Sequence, residues 1–262
     1  GAGKQPLIVV SHGNWGSRFS QGWLATELVA AGYLVLSTTH PGTAGDDQTV
    51  AGRYRLWDRS RDVSAALDAV LKTPRWAALI DANRIGFVGH SFGGWTGVSL
   101  AGGRFDPQRQ RAACETMRPL DFYCDGTLKD DVAAVPAGDA AESFKDARLK
   151  AFYIMASGPA QGFSVESLQA ISAPFIVDTA RFDEVLERQT NSSALARQIR
   201  GARELVRPVG HFAYVPECRW LIGRVLASNL CSDPDGVDRA QVHTQVTRDV
   251  IEFFDRNLPN RQ

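Results

Sequence analysis

The sequence has no excess of charge of either sign, since 29 lysines and arginines balance 29 aspartates and glutamates among 262 residues. Without a basic field, neither a nucleic acid backbone nor an anionic bilayer is an expected partner. Long apolar runs are missing too: the clearest, residues 7–10, is far shorter than the roughly 18 residues of a transmembrane span. Because 44% of the residues are hydrophobic, disorder is also excluded. We expect a single globular domain over residues 1–262.

Cysteine is scarce, and its four positions form two local pairs, Cys114 with Cys124 and Cys218 with Cys231. No CxxC is present and no histidine lies at zinc-finger spacing, so we predict neither a metal site nor another cofactor. Two interpretations remain: buried free thiols in a cytosolic enzyme, or two short-loop disulfides in an exported one. The even, locally paired count favours disulfides and a periplasmic or secreted protein.

Short β-branched runs alternate with amphipathic segments, which is typical of βαβ units. The sequence predicts an α/β fold with a mostly parallel sheet and helices on both faces. The predicted strands are 7–11, 33–39, 84–89, 151–156, 175–179 and 204–209, and the clearest helices are 20–31, 58–71 and 241–258. Gly32 is expected to end the first helix.

The segment 102–149 breaks this alternation, because it contains no strand-like run and is rich in arginine, aspartate and alanine. Insertions of this size in one domain commonly form a lid or binding element. We expect a lid or cap-like insertion, with a helical surface excursion as the alternative.

The strongest motif is Gly89-His90-Ser91-Phe92-Gly93, which lies between a predicted strand and a predicted helix. It matches the GxSxG nucleophile elbow, with Ser91 at the apex of a strained turn. Glycine at both flanking positions relieves the crowding that side chains would cause there. We predict that Ser91 is a catalytic nucleophile; an inert serine in a structural turn is the alternative.

A His-Gly loop, His12-Gly13-Asn14-Trp15, follows the first predicted strand. Ligands collect at the carboxyl ends of parallel strands, and acyl transfer needs two backbone N–H donors for one oxyanion. We assign these donors to Phe92, which follows the nucleophile, and Asn14, with Trp15 as the alternative to Asn14. His12 is expected to stabilise the loop rather than act as a base.

A general base and its acid partner should follow the elbow in the order Ser, Asp or Glu, His. His211 comes directly after the last predicted strand and is preferred to His243, which lies on the C-terminal helix. Asp183 is the preferred acid because it follows a strand, whereas Asp178 lies within that strand. Glu184 is a minor alternative.

Together these motifs resemble the α/β-hydrolase superfamily, and the chain is similar in particular to its dienelactone-hydrolase and platelet-activating-factor-acetylhydrolase-like branch. The features that carry the narrower likeness are the run 7–13 with a helix ending Ala-Gly-Tyr, His40-Pro41-Gly42, His211-Phe212, Cys218, Cys231, Asp238-Arg239, His243 and Phe253-Phe254. The likeness implies an α/β-hydrolase fold and an esterase or lipase-like enzyme. For exported bacterial members it also implies a Cys218–Cys231 disulfide.

Three features depart from that branch. Dienelactone hydrolases proper use a cysteine where this chain has Ser91. The acetylhydrolases place their acid near the position of Met155 and Ala156, where no carboxylate is present. The sequence also opens on the strand that is usually third, so we expect a fold that lacks the first two antiparallel strands.

The sequence therefore predicts a serine hydrolase that cleaves small-molecule carboxylic esters through an acyl-enzyme on Ser91. A serine peptidase or amidase of the same fold is the first alternative, and a non-catalytic receptor is the second. Four aromatic residues beside the motifs are candidates to line a substrate pocket, although packing is the more common role: Trp15, Trp95, Tyr123 and Phe212. The sequence makes no prediction of oligomeric state.

Overall fold

One parallel sheet dominates the computed structural model, which describes residues 3–116, 137–140, 142–218 and 228–259. Its six strands are β1 (Gln5–Ser11), β2 (Leu34–Thr38), β5 (Ile80–His90), β6 (Leu149–Met155), β7 (Phe175–Ala180) and β8 (Arg203–Arg207). A separate antiparallel pair is formed by β3 (Thr43–Ala44) and β4 (Asp47–Gln48). The spatial order of the main sheet is β2-β1-β5-β6-β7-β8. All five pairings are parallel, which confirms the predicted α/β fold.

Helices connect the strands. They are α1 (Gly22–Ala30), α2 (Val50–Tyr54), α3 (Leu56–Lys72), α4 (Pro74–Ala77), α5 (Phe92–Ala101), α6 (Pro107–Thr116), α7 (Ala137–Ala140), α8 (Val165–Gln169), α9 (Ser192–Gln198), α10 (Ser228–Cys231) and α11 (Arg239–Asn257), with a 3₁₀ turn at His211–Tyr214. Among the described residues, no helix combines the length and apolar character needed to cross a bilayer.

Two apolar cores lie on opposite faces of the sheet. Alternate residues of β1 enter different cores: Leu7 and Val9 pack with α3 and α5, while Ile8 and Val10 pack with α1 and α11. A parallel strand covered on both faces is apolar at successive positions, which is why residues 7–10 form an unbroken run.

Most predicted boundaries shift by one to four residues. β5 begins at Ile80 rather than at residue 84, because Ile80 pairs with Gln5 beyond a register shift, while polar Asp81 and Asn83 hide this extension in the sequence. β8 ends at Arg207 because the Val209 amide turns back to the Arg207 carbonyl. α1 ends just before Gly32, as predicted, and the φ of 93° at Gly32 is a conformation that favours glycine.

The predicted insertion is described only in part, through α6 and α7. Its role as a lid stays a prediction, and the Cys114–Cys124 pairing involves Cys124, which lies outside the described residues. The second local pair forms the expected disulfide, Cys218–Cys231.

The sheet reverses its winding between β1 and β5, since the chain passes from β1 to β2 on one side and then to β5 on the other. Ser11 and Gly89 are paired in register, so both strands end at the same edge. The loops that leave these two strands therefore diverge around a crevice, where α/β proteins place ligands.

Candidate active site

Ser91 occupies the tight turn between β5 and α5 with φ of 55° and ψ of −118°. This is a strained conformation for a residue with a side chain. A Cβ on Gly89 would collide with the Gly93 carbonyl, and a Cβ on Gly93 would collide with the Ser11 carbonyl. The Ser91 amide donates to the Met155 carbonyl at 2.9 Å, which holds the turn against β6.

His211 begins the 3₁₀ turn that follows β8, and its ring lies between Ser91 and Asp183. Its Nε2 is 3.0 Å from Ser91 Oγ, and its Nδ1 is 2.9 Å from Asp183 Oδ2. Because the ionised carboxylate only accepts, Nδ1 carries the proton and donates to Asp183, which leaves Nε2 to accept the Ser91 hydroxyl proton. The structure thus brings the three sequence-predicted residues together.

Asp183 lies in the turn after β7 with a side chain that is 3% exposed. Its Oδ1 accepts the amides of Val185 and Leu186 at 3.0 and 2.7 Å, which leaves Oδ2 directed at His211. Glu184 accepts the His211 backbone amide at 2.8 Å. The turn therefore fixes both the ring and the backbone of His211, whereas the sequence suggests Glu184 only as an alternative acid.

Asp178, the other candidate acid, is fully buried inside β7. It accepts the hydroxyls of Tyr153 at 2.6 Å and Tyr214 at 2.9 Å, and its two oxygens share the Nε–H of Arg207 at 2.9 and 2.7 Å. Burial raises the pKa of the Asp178 carboxyl, and the Arg207 guanidinium opposes that rise. Arg207 also reaches Asp249 on α11, so this cluster joins the sheet to the C-terminal helix.

The remaining histidines have structural contacts. His90 donates from Nε2 to the His211 carbonyl at 3.0 Å, and burial, followed by the neighbouring His211, holds its pKa well below the usual value. His243 stacks on Trp23 with ring centroids 3.8 Å apart, and its Nε2 is 3.1 Å from the Ala213 carbonyl. The contact of His90 with His211 was not predicted from the sequence.

His12 anchors the loop after β1 in its neutral form. Its Nδ1 donates to the Gly13 carbonyl at 2.6 Å, and its Nε2 accepts the His40 amide at 3.1 Å. Burial, followed by the charge of Arg59, lowers the pKa of His12 to about 3. Both nitrogens are engaged, which agrees with the expected loop-stabilising role.

The backbone of this loop distinguishes the two candidate oxyanion donors. The Trp15 amide donates to the Thr43 carbonyl at 3.0 Å. Gly13 lies close to the nucleophile, since a Cβ there would be 3.0 Å from Ser91 Cβ. The amide and carbonyl of the Asn14 side chain are buried without a hydrogen-bond partner.

The four pocket candidates have different environments. Trp15 is 59% exposed beside a cleft of about 360 Å³ that Phe19 also lines. Phe212 is half-buried, with its ring 5.2 Å from that of His211. Trp95 is fully buried against Phe105 and Phe163, so in this structure it packs in the core and does not line an open cleft. Tyr123 lies outside the described residues.

In the part of the chain that the structure describes, no three His, Cys, Asp or Glu side chains are grouped as a metal site requires. The chemical groups that the structure brings together at the crevice are a hydroxyl, an imidazole and a carboxylate.

Comparisons with known proteins identify the family of the chain. A solved structure of a ferulic acid esterase from Streptomyces cinnamoneus superimposes with a TM-score of 0.64 at 22% identity, covering 98% of this chain and 68% of that chain. No curated protein sequence matches. The model of the alpha/beta hydrolase family matches residues 8–253. Since that match spans most of the sequence, the chain belongs to the alpha/beta hydrolase family.

Proposed function

We propose that the protein is a serine hydrolase that cleaves carboxylic esters. The observation that carries this proposal is the continuous chain from Ser91 Oγ through the His211 ring to Asp183, with 3.0 and 2.9 Å between successive polar atoms. Membership of the alpha/beta hydrolase family supports it. A nucleophile, a base and a group that orients the base are the parts that acyl transfer requires.

In the proposed reaction, Ser91 Oγ attacks the ester carbonyl carbon while His211 Nε2 accepts the hydroxyl proton. Asp183 stabilises the imidazolium that forms. Collapse of the tetrahedral intermediate expels the alkoxide, which takes that proton from His211, and leaves an ester on Ser91. Water then attacks this acyl-enzyme, with His211 again acting as base, and the carboxylic acid is released.

The oxyanion of the intermediate is proposed to bind the amides of Phe92 and Asn14. Phe92 is the first residue of α5, where the helix dipole favours negative charge. Asn14 is preferred to Trp15 because the Trp15 amide already donates to Thr43. The unpartnered side-chain amide of Asn14 adds a second hydrogen-bonding group to the same loop.

For the substrate we propose a small neutral ester. Trp15 and Phe212 are proposed to line the acyl site, because both follow directly on residues of the reaction centre and keep exposed ring surface. The name of the similar solved structure makes aromatic-acid esters the first substrates to try. The insertion 102–149 is proposed to act as the lid over this site.

The narrower likeness to the dienelactone-hydrolase and acetylhydrolase-like branch is likewise a proposal, and so is export to the periplasm or medium. The Cys218–Cys231 disulfide supports export, because structural disulfides persist in oxidising compartments.

Replacement Ser91→Ala should lower kcat by about 10⁴-fold or more, since it removes the nucleophile. A fluorophosphonate probe should add one adduct to the wild-type chain, at Ser91, and none to the variant. Ser99→Ala is the control: it lies on the same helix, bonded to Ser60, and should keep both activity and labelling. An adduct elsewhere, or an active Ser91→Ala protein, would refute the proposal.

The two buried aspartates should respond differently. Asp183→Asn should reduce kcat by about 10³-fold or more, because the amide no longer selects the required His211 tautomer. Asp178→Asn should instead lower the free energy of unfolding by about 3 kcal/mol, since it removes the buried one of the two carboxylates that pair with Arg207. Steady-state kinetics and urea unfolding of both variants test this, and the reverse pattern would make Asp178 the acid.

The leaving group separates an esterase from an amidase. A p-nitrophenyl ester and the p-nitroanilide of the same acid present the same acyl group, so only the bond to be cleaved differs. We expect kcat/KM to be higher for the esters at every acyl length. Faster cleavage of the anilides would favour the peptidase or amidase alternative.

The oxidation state of the four cysteines tests the proposed export, because an exported protein is expected to contain disulfides. We expect intact-mass analysis after alkylation of the denatured, unreduced protein to show no modified cysteine, and four after reduction. Reduced and alkylated protein serves as the mass standard. Four alkylated thiols before reduction would contradict the exported assignment.

A further inference from the structure

Among the described residues, Arg59 is the largest charged side chain that is fully buried, and the proposed reaction leaves it without a role. It projects from α3 into the space between the loop after β1 and the N-terminal end of α5, and it is only 1% exposed. Burying a guanidinium is costly unless its donors are satisfied. Among the described residues, no carboxylate lies within ion-pair distance of Arg59, so its partners are neutral.

On one side, Arg59 bonds the loop that carries Asn14. One terminal nitrogen, Nη2, donates to the His12 carbonyl and, at 3.3 Å, to Ser11 Oγ. The other, Nη1, donates to Thr43 Oγ1. Thr43 is also the residue whose carbonyl accepts the Trp15 amide, so the guanidinium holds both ends of the loop segment around Asn14.

On the other side, Arg59 bonds α5 near its N-terminal end. Its Nε donates to Thr96 Oγ1 at 3.1 Å, and the Thr96 hydroxyl donates in turn to the Phe92 carbonyl at 2.9 Å. The same guanidinium is therefore linked to both chain segments whose amides are proposed to bind the oxyanion.

A second layer holds the guanidinium in place. His40 donates from Nδ1 to Asp62 at 2.9 Å, and its Nε2 accepts the hydroxyls of Ser11 at 2.9 Å and Thr38 at 3.0 Å. Ser11 is thus shared by His40 and Arg59. Asp62 is partly exposed and accepts from His40, so its negative charge acts on Arg59 from beyond the imidazole.

We propose that Arg59 is a positioning residue that sets the relative placement of the Asn14 loop and the Phe92 turn, and so forms the oxyanion hole before substrate binds. The proposal rests on the proposed function of Ser91. Two amides from separate segments must converge on one oxygen, and a misplacement of about 1 Å costs about 10²-fold in rate. A planar guanidinium has five donors in a rigid fork, whereas a lysine ammonium has three on a flexible stem.

The test compares Arg59→Lys with Arg148→Lys. Arg148 also bonds α3, through the Ser64 carbonyl and Asp68, but it lies in a separate ion-pair cluster with Asp146. For Arg59→Lys we expect kcat to fall by about 10- to 100-fold with KM changed less than about 3-fold, because the transition state loses more than the ground state. Arg148→Lys should keep the wild-type kcat.

A trifluoromethyl ketone gives a second readout, because its adduct with Ser91 carries the oxyanion while the free ketone does not. Its inhibition constant should rise in Arg59→Lys by the same factor as kcat falls. Thr96→Val, which cuts the link to α5 alone, should show a smaller loss of the same kind. This variant also keeps the proposal testable if Arg59→Lys does not fold.

A folded Arg59→Lys protein with wild-type kcat and ketone affinity would overturn the proposal. So would an equal loss in Arg148→Lys, which would indicate general loosening of α3. The two proposals fail in different ways. If the proposed function is wrong, activity should survive in Ser91→Ala. If activity depends on Ser91 but is unchanged in Arg59→Lys, only the inference about Arg59 is refuted.

Discussion

The register between β1 and β5 is the constraint on which the rest of the structure depends. Because Ser11 pairs with Gly89, the two strands end side by side, and Gly93 packs against the Ser11 carbonyl so closely that no side chain fits. This contact orients the first turn of α5 and holds Ser91 in a conformation that it would not adopt alone. A slip of one residue would exchange the two cores and separate the loop after β1 from the elbow.

The elements on the far side of the sheet bring the remaining groups to that fixed serine. β7 and β8 end at the same edge as β5, so the turns that follow them carry Asp183 and His211 towards Ser91. Backbone amides and Glu184 then restrict both side chains. The hydrogen-bond chain thus joins three loops of a rigid sheet, which preserves its geometry better than a flexible segment would.

Periodicity and motif order predicted much of this arrangement. The alternation of strands and helices predicted the sheet, and the chain order Ser, Asp, His singled out His211 and Asp183, although their catalytic roles stay predictions. The two-residue strands β3 and β4 are too short to show a period. Arg59 follows Leu56 by three residues and precedes Val63 by four, so spacing placed it on the apolar face of α3. Its burial was nevertheless not predicted, because sequence patterns indicate burial through apolar residues and a charged residue is expected to be exposed.

Arg207 and Arg59 illustrate how differently one type of side chain can be used. Arg207 is paired with Asp178 and Asp249, so its charge is neutralised where it joins the sheet to α11. The hydrogen-bond partners of Arg59 are hydroxyls and a carbonyl, and among the described residues the compensating charge is that of Asp62, which lies beyond His40. Neutral acceptors satisfy the N–H donors of a guanidinium, but they offset little of the free-energy cost of removing its charge from water. An apolar residue at position 59 would avoid that cost, but it could not hold two loops at a fixed spacing, which is the requirement that an oxyanion hole imposes.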